Sequence, residues 1–342
     1  MQCVTPMFRR YELGNHKNGT IIPRSEVLQE LTWDKNRIKK YLDDLNSNTR
    51  SKGYGYMYEQ IACQHCYACL LNKSAEWATR IMLEAKKYSH VYFITLTYDD
   101  EHIIPPANPD SWFAGTLYPD DVTQFIDSIR HDLRKKGITN VKYFYCGEYG
   151  QGTDAPRPHY HMILFGVPLN WNENYDYFDD KTFFKEHFKN EYIDKYWDKG
   201  LTDIGVCEWN NAAYTARYCV KKIFNNMSDY DDHGVYHEFI RMSKGIGKEY
   251  YQEHKDDIYK TDSILMKNIH GKTCNYKPPK YFDKMFKEER PTEMWEIKLN
   301  RKRAAERSRQ NEKHLSNYSD LELLQKKEEQ IQTKAKQLKR DL

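Results

Sequence analysis

Two short stretches decide the fold: V-K-Y-F-Y-C-G-E at Val141 to Glu148 and H-Y-H-M-I-L-F-G-V at His159 to Val167. Both are rich in β-branched and aromatic residues, the composition of strands on a packed sheet. Ten residues of Gly, Gln, Thr, Asp and Pro character connect them. A parallel pair needs a crossover of about a dozen residues or more, so the connection predicts an antiparallel hairpin. Upstream, V-Y-F-I-T-L-T-Y at Val91 to Tyr98 reads as a buried strand, stopped by D-D-E-H and two prolines. Pro119 to Lys136 reads as a helix, with Pro at its start, Val122, Phe125, Ile126, Ile129 and Leu133 on one face, and Gly137 just past its end. Downstream, the pattern predicts a helix from about Lys181 to Lys199, a short strand Thr202 to Glu208 and a helix from about Asn211 to Phe224. The order strand, helix, strand, strand, helix, strand, helix is that of a split βαβ unit. The predicted fold class is therefore α+β: a ferredoxin-like or RRM-like antiparallel sheet with flanking helices, over 91–226.

Working outward, residues 1–90 form a Cys-rich N-terminal segment with one periodic helix from Ser74 to Lys87. Residues 227–290 are mixed and aromatic and extend the central domain, and 291–342 form a basic tail, helical from the capping box S-D-L-E at Ser319. The 342 residues carry 53 Lys+Arg against 50 Asp+Glu, a formal charge of +3. That sum conceals an asymmetry: Lys298 to Arg340 holds 13 Lys/Arg and 6 Asp/Glu, a net +7 on a mildly acidic body. Such a tail either holds phosphates through counterion release or serves as a solvated helix. No run approaches the ~18 consecutive apolar residues of a membrane helix, and Met1 to Arg10 lacks the apolar core of a secretory signal, so a cytosolic protein without membrane partner is expected.

Chemistry concentrates in G-E-Y-G-(x7)-R-P-H-Y-H and, after a further strand, Y-T-A-R-Y-C-V-K-K. Side chains alternate across a strand, so His159 and His161 share a face that Tyr160 does not, and the hairpin partner brings Glu148 beside them. Two imidazoles and a carboxylate make a three-ligand cation site with open positions, suited to Mg²⁺ or Mn²⁺ acting on a phosphoryl oxygen and equally to catalytic Zn²⁺. On a helix, Tyr214, Tyr218 and Lys221 fall on one face. A phenol with a pKa of about 10 becomes a useful nucleophile where cations offset developing charge. Taken singly, His-x-His on a strand is compatible with packing, and so is a pair of tyrosines four apart.

These motifs resemble motifs two and three of the HUH (His-hydrophobe-His) endonucleases, with F-I-T-L-T-Y at Phe93 to Tyr98 as motif one. More closely, C-x-x-C-x-x-C followed by E-W-A-T-R (Glu76 to Arg80), the three motifs and M-S-K-G-I-G (Met242 to Gly247) resemble the replication initiators of gokushoviruses, members of the Microviridae. The resemblance runs from Cys3 to about residue 250 and leaves the tail uncovered. It implies the HUH endonuclease fold and rolling-circle replication of a circular single-stranded genome in the host bacterial cytoplasm: one strand is nicked at the origin, held through a 5′-phosphotyrosine link and later rejoined. Position by position, it makes His159, His161 and Glu148 the Mg²⁺ or Mn²⁺ ligands, Tyr218 the nucleophile, Tyr214 its partner and Lys221 the motif lysine. Its implied partners are single-stranded origin DNA and the host replication helicase and polymerase. A transposase or relaxase with the same site remains the alternative among enzymes.

Cys63, Cys66 and Cys69 in C-Q-H-C-Y-A-C carry a separate signal. Eight cysteines in a cytosolic chain do not suggest a disulfide framework. Three at CxxC spacing suit a tetrahedral structural Zn²⁺ short of one ligand, with Cys3 as the candidate fourth and His65 behind it. An iron–sulfur centre and a reduced, unliganded cluster are the alternatives. Cys146, Cys207, Cys219 and Cys274 are scattered and read as packed thiols. The last alternative is a non-catalytic, zinc-stabilised nucleic-acid-binding protein. Arg130, Arg134, Lys135, Lys136, Lys221 and Lys222, interleaved with aromatic residues, could track a single strand by stacking and charge, and the 28 tyrosines would then belong to that surface or to an A/T-rich genome. No phosphate-cradling Gly-rich loop with GK[ST] is present, so no ATPase or helicase activity is expected.

Overall fold

The computed structural model describes residues 7–12, 20–22, 56–64, 66–150, 155–169, 187–207, 212, 215–216, 227–267, 272–316, 318, 326–327 and 329–333. Chain contacts divide it into two units, Met1–Asn72 with Asn317–Asp341, and Lys73–Ser316. In the first, β1 (Met7–Glu12), β2 (Thr20–Ile22) and β3 (Tyr56–Ile61) form an antiparallel sheet of order β2-β1-β3. The long helix α1 (Tyr67–Ala85) follows.

The second unit is built on a six-stranded antiparallel sheet. Its strands are β4 (Val91–Tyr98), β5 (Lys142–Tyr149), β6 (Pro158–Phe165), β7 (His187–Phe188), β8 (Gly200–Val206) and β9 (Phe239–Met242), in the order β7-β8-β4-β6-β5-β9. The four strands expected from the sequence are contiguous as β8-β4-β6-β5, the ferredoxin-like arrangement in which both central strands come from the two βαβ halves. β5 and β6 pair antiparallel, with Glu148 opposite His159 and Cys146 opposite His161. The expected α+β class is thus the observed one.

Alternation gives the sheet two unlike faces. Tyr92, Ile94, Leu96, Tyr98, Tyr160, Met162, Leu164 and Ile204 lie in one core cluster with Val122, Phe125, Ile126, Ile129 and Leu133 of helix α2 (Pro119–Lys135). Ile193 and Trp197, at the short helix α3 (Glu191–Tyr196), complete that layer. On the opposite face, Phe93, Phe144, Ile163 and Phe165 pack with Ile81 of α1, Ala212 and Ile246. This second face carries His159, His161 and Glu148.

The expected helix from Lys181 to Lys199 is not continuous. His187 and Phe188 are extended and pair with Gly205 and Ile204 at the sheet edge, and only Glu191–Tyr196 is helical. The reason is local: Asn190 is extended, and its side chain accepts a hydrogen bond from Tyr192 N, which is a helix start. The described edges of the other elements shift by one or two residues, except that α1 begins well before Ser74. Within the expected helix Asn211 to Phe224, Ala212, Thr215 and Ala216 are helical and buried, and the rest lies outside the described residues. So do Ser319 and its capping box.

Beyond α4 (Met227–Asp232) and β9, the helices α5 (Lys248–Thr261), α6 (Lys280–Glu289) and α7 (Pro291–His314) accompany the hairpin β10 (Ile264–Lys267) and β11 (Thr273–Tyr276). Their core joins Leu83 of α1 to Tyr251, Tyr259, Phe282, Phe286 and Met294. Two motifs far apart in the chain meet here. Arg80 of E-W-A-T-R donates from Nε and Nη2 to the Ile246 carbonyl of M-S-K-G-I-G at 3.1 and 3.0 Å. Its guanidinium lies 4.0 Å from the Trp77 ring centre and 4.1 Å from that of Tyr281. Among the described residues, no helix is long and apolar enough to cross a membrane.

Candidate active site

The site is assembled at the open end of the β5–β6 hairpin. Gly147 begins it. A Cβ at this position would stand 2.8 Å from the Phe239 ring and 3.1 Å from Leu117, so the strand passes closely only as glycine. The next residue, Glu148, then faces the opposite layer directly across from His159. Tyr160, between the histidines, points the other way into the core. Its hydroxyl accepts a hydrogen bond from Tyr118 N at 2.7 Å and stands 3.1 Å from Tyr98 Oη. This buried anchor fixes the strand's rotation and hence the direction of both imidazoles.

Both imidazoles converge on one oxygen. Nε2 of His159 lies 2.8 Å and Nε2 of His161 3.0 Å from Oε1 of Glu148. Glu148 is 2% exposed and His161 8%. Burial pushes the Glu148 carboxyl up, but the hydrogen bonds and charges of the two histidines outweigh it and hold the group well below the usual carboxylate range. The far side of each ring fixes its tautomer. His159 Nδ1 is 3.1 Å from the Arg157 carbonyl, an atom that only accepts, so Nδ1 carries the proton. His161 Nδ1 is 3.0 Å from Thr95 Oγ1 on the neighbouring strand, where Thr95 and His161 are register partners. His161 also stacks on Phe93, with ring centres 5.5 Å apart.

This arrangement calls for a positive charge. With Nδ1 protonated, a neutral His159 would aim its Nε2 lone pair at a carboxylate oxygen 2.8 Å away, which is repulsive. A second proton or a cation between the groups relieves it. Three ligand atoms, one each from Glu148, His159 and His161, lie within 4.8 Å of one another, and the donor set fits a divalent cation.

Of the residues expected from the sequence, the structure brings Glu148, His159 and His161 together. Tyr214, Tyr218 and Lys221, like Cys219 and Lys222, lie outside the described residues. Cys63, Cys66 and Cys69 form a separate cluster, whereas Cys3 and His65 lie outside the described residues. Cys146 is buried, with Sγ 3.7 Å from the His161 carbonyl. Two groups at the site were not read from the sequence. Thr95 was read only as a member of a buried strand; its alternation placed it on the right face, but which strand flanks β6 was needed to find it. Glu238, 4% exposed, accepts from Tyr149 N at 3.2 Å through Oε1, just ahead of edge strand β9, which had no legible pattern.

The family model for replication-associated proteins of the ORF2 type matches residues 91–223, the span of the central sheet and its histidines. The chain is 34% identical over 345 aligned positions to the replication-associated protein ORF2 of Spiroplasma virus 4, covering 100% of this chain and 98% of that protein. It is 26% identical over 250 positions to the replication-associated protein VP4 of Bdellovibrio phage phiMH2K, covering 71% of this chain and 74% of the relative. No solved structure matches.

Proposed function

We propose, because this chain belongs to the family of the replication-associated proteins ORF2, that it initiates rolling-circle replication of a small single-stranded DNA phage by cutting and rejoining origin DNA through tyrosine. The supporting observation is the convergence of His159 and His161 on Glu148 at the end of a hairpin, with both outer ring nitrogens already engaged.

Glu148, His159 and His161 would hold the cation, with Mg²⁺ or Mn²⁺ as the proposed ion. Bound there, a divalent ion supplies Lewis acidity toward a phosphoryl oxygen. An octahedron with bonds of about 2.1 Å has ligand-to-ligand edges of about 3.0 Å. The 2.8 and 3.0 Å separations fall at that value without rearrangement.

In the proposed reaction, the phenol oxygen of Tyr218 loses its proton and forms a new P–O bond at the scissile phosphate. The 3′ oxygen leaves and takes up a proton, and the 5′ phosphate remains on tyrosine. Lys221 offsets the developing negative charge. One phosphodiester replaces another, so attack by the freed 3′ hydroxyl reverses the step and seals the strand. Tyr214 attacks the second strand while the first remains attached. Host helicase and polymerase would extend the exposed 3′ end.

The test is incubation of the full chain with single-stranded origin DNA and Mn²⁺ or Mg²⁺, followed by denaturing electrophoresis for a covalent protein–DNA adduct. The adduct is expected with the native chain and lost in the double variant Tyr214→Phe, Tyr218→Phe. Persistence in the double variant would overturn the tyrosine assignment. Salt-sensitive DNA binding without an adduct under any metal would make the protein a binding module.

A further inference from the structure

We infer that Cys63, Cys66 and Cys69 bind a single structural zinc ion, independently of the reaction proposed above. Sequence spacing alone left zinc, an iron–sulfur centre and an unliganded cluster open; the sulfur geometry separates them. The Sγ atoms of Cys63 and Cys69 are 4.0 Å apart, and all three sulfurs lie within 4.8 Å of one another. Zn–S bonds of about 2.3 Å at tetrahedral angles place sulfurs about 3.8 Å apart. A disulfide would bring them to about 2.05 Å. A cubane iron–sulfur cluster spreads its cysteines much wider, because each sulfur binds a different iron corner.

The backbone around the sulfurs is shaped to the same end. Gln64, inside the first Cys-x-x-Cys, has a left-handed φ of 68°, which costs a non-glycine residue about 1–2 kcal/mol. That turn lets Cys66 N donate to Cys63 Sγ at 3.2 Å. Cys66 immediately precedes α1 and Cys69 is in its first turn, with Leu70 N bonded to the Cys66 carbonyl at 3.1 Å. Backbone N–H groups at a helix start favour the thiolate over the thiol. Cys63 and Cys69 are 9% and 8% exposed, so the sulfurs are largely withdrawn from water.

Binding releases the thiol protons to solvent and leaves three thiolates on the metal. A fourth ligand completes the tetrahedron, and Cys3 remains the candidate from the sequence. The ion would fix the CxxCxxC turn to the start of α1, and contribute folding free energy to a segment with little apolar content of its own.

The test is metal analysis of the full chain purified without added metal, together with cobalt(II) substitution followed by absorption spectroscopy. One zinc per chain is expected, retained through dialysis in both the native chain and the His159→Ala, His161→Ala variant, and lost in Cys66→Ser, Cys69→Ser. The cobalt form should show sulfur-to-cobalt charge-transfer bands and tetrahedral visible bands, a readout that needs no cysteine variant to fold. Absence of both zinc and the cobalt bands would overturn the assignment, and so would stoichiometric iron with acid-labile sulfide. Neither result depends on DNA cleavage, so failure here is distinct from failure of the nicking reaction.

Discussion

Oγ1 of Thr95 stands 3.0 Å from Nδ1 of His161, across the β4–β6 register. With the Nδ1 proton donated to this hydroxyl, Nε2 is left to bind a cation, and the ring is held at the angle that Glu148 shares. Loss of such an outer partner typically lowers metal affinity about 10–100-fold. Thr95→Val keeps the shape and removes the acceptor, so Mn²⁺ affinity measured by calorimetry should fall by about that factor while the fold is retained. Unchanged affinity would make the hydroxyl a packing group.

Removing Glu148 should abolish the response to metal. A ligand at a hundredfold excess over its Kd stabilises the folded state by about 2.7 kcal/mol. For a unit of this size, that is a rise in melting temperature of about 5–10 °C. The native chain should show it with Mn²⁺ in differential scanning fluorimetry and lose it with chelator, whereas Glu148→Ala should melt at the same temperature in both. A full metal-dependent shift in Glu148→Ala would place the ion elsewhere.

How much of this was legible in the sequence depends on how local the determining forces are. Val91 to Tyr98, the amphipathic face of Val122 to Leu133 and the hairpin with its histidines declare themselves through periodicity and a short connection, and the structure agrees with them. Lys181 to Lys199 failed because edge pairing of His187 and Phe188 with β8, together with the Asn190 cap, overrides helical spacing. Thr95 was invisible as a site residue because its role depends on which strands are neighbours, and Glu238 because its strand is added at an edge by long-range pairing.

The Arg80 contact joins two sequence motifs through one carbonyl. Its guanidinium is 8% exposed and lies against two aromatic rings, and Glu84 on the same helix accepts from Gly247 N at 2.6 Å while pairing with Lys142. Arg80→Met preserves much of the packing and leaves the Ile246 carbonyl without its two donors. Charged hydrogen bonds of this kind contribute about 1.5–3 kcal/mol. A loss of about 3 kcal/mol is expected in urea unfolding, together with faster hydrogen exchange at Gly247. A loss below about 0.5 kcal/mol would show the loop to be held by its apolar contacts alone.

The tyrosine content predicts an alkaline limit to stability. Of the 28 tyrosines, eight among the described residues are buried: Tyr92, Tyr98, Tyr145, Tyr149, Tyr160, Tyr230, Tyr251 and Tyr259. They are core residues, a use that neither DNA stacking nor codon composition anticipated. Burial pushes the Tyr145 and Tyr149 phenols up to about 12, and those of Tyr98, Tyr160 and Tyr259 higher still. The unfolded chain ionises at about pH 10. Below that value both states keep the proton and stability is unaffected. Above it only the unfolded chain gains by losing the proton, so Tyr145 and Tyr149 each remove up to about 1.4 kcal/mol per pH unit until about pH 12. Urea midpoints should therefore be flat up to about pH 9.5 and fall steeply beyond, while phenolate absorbance rises only with unfolding for the buried set. Tyr145→Phe should reduce the slope above pH 10 by one group's share, and an unaltered slope would remove that residue from the account.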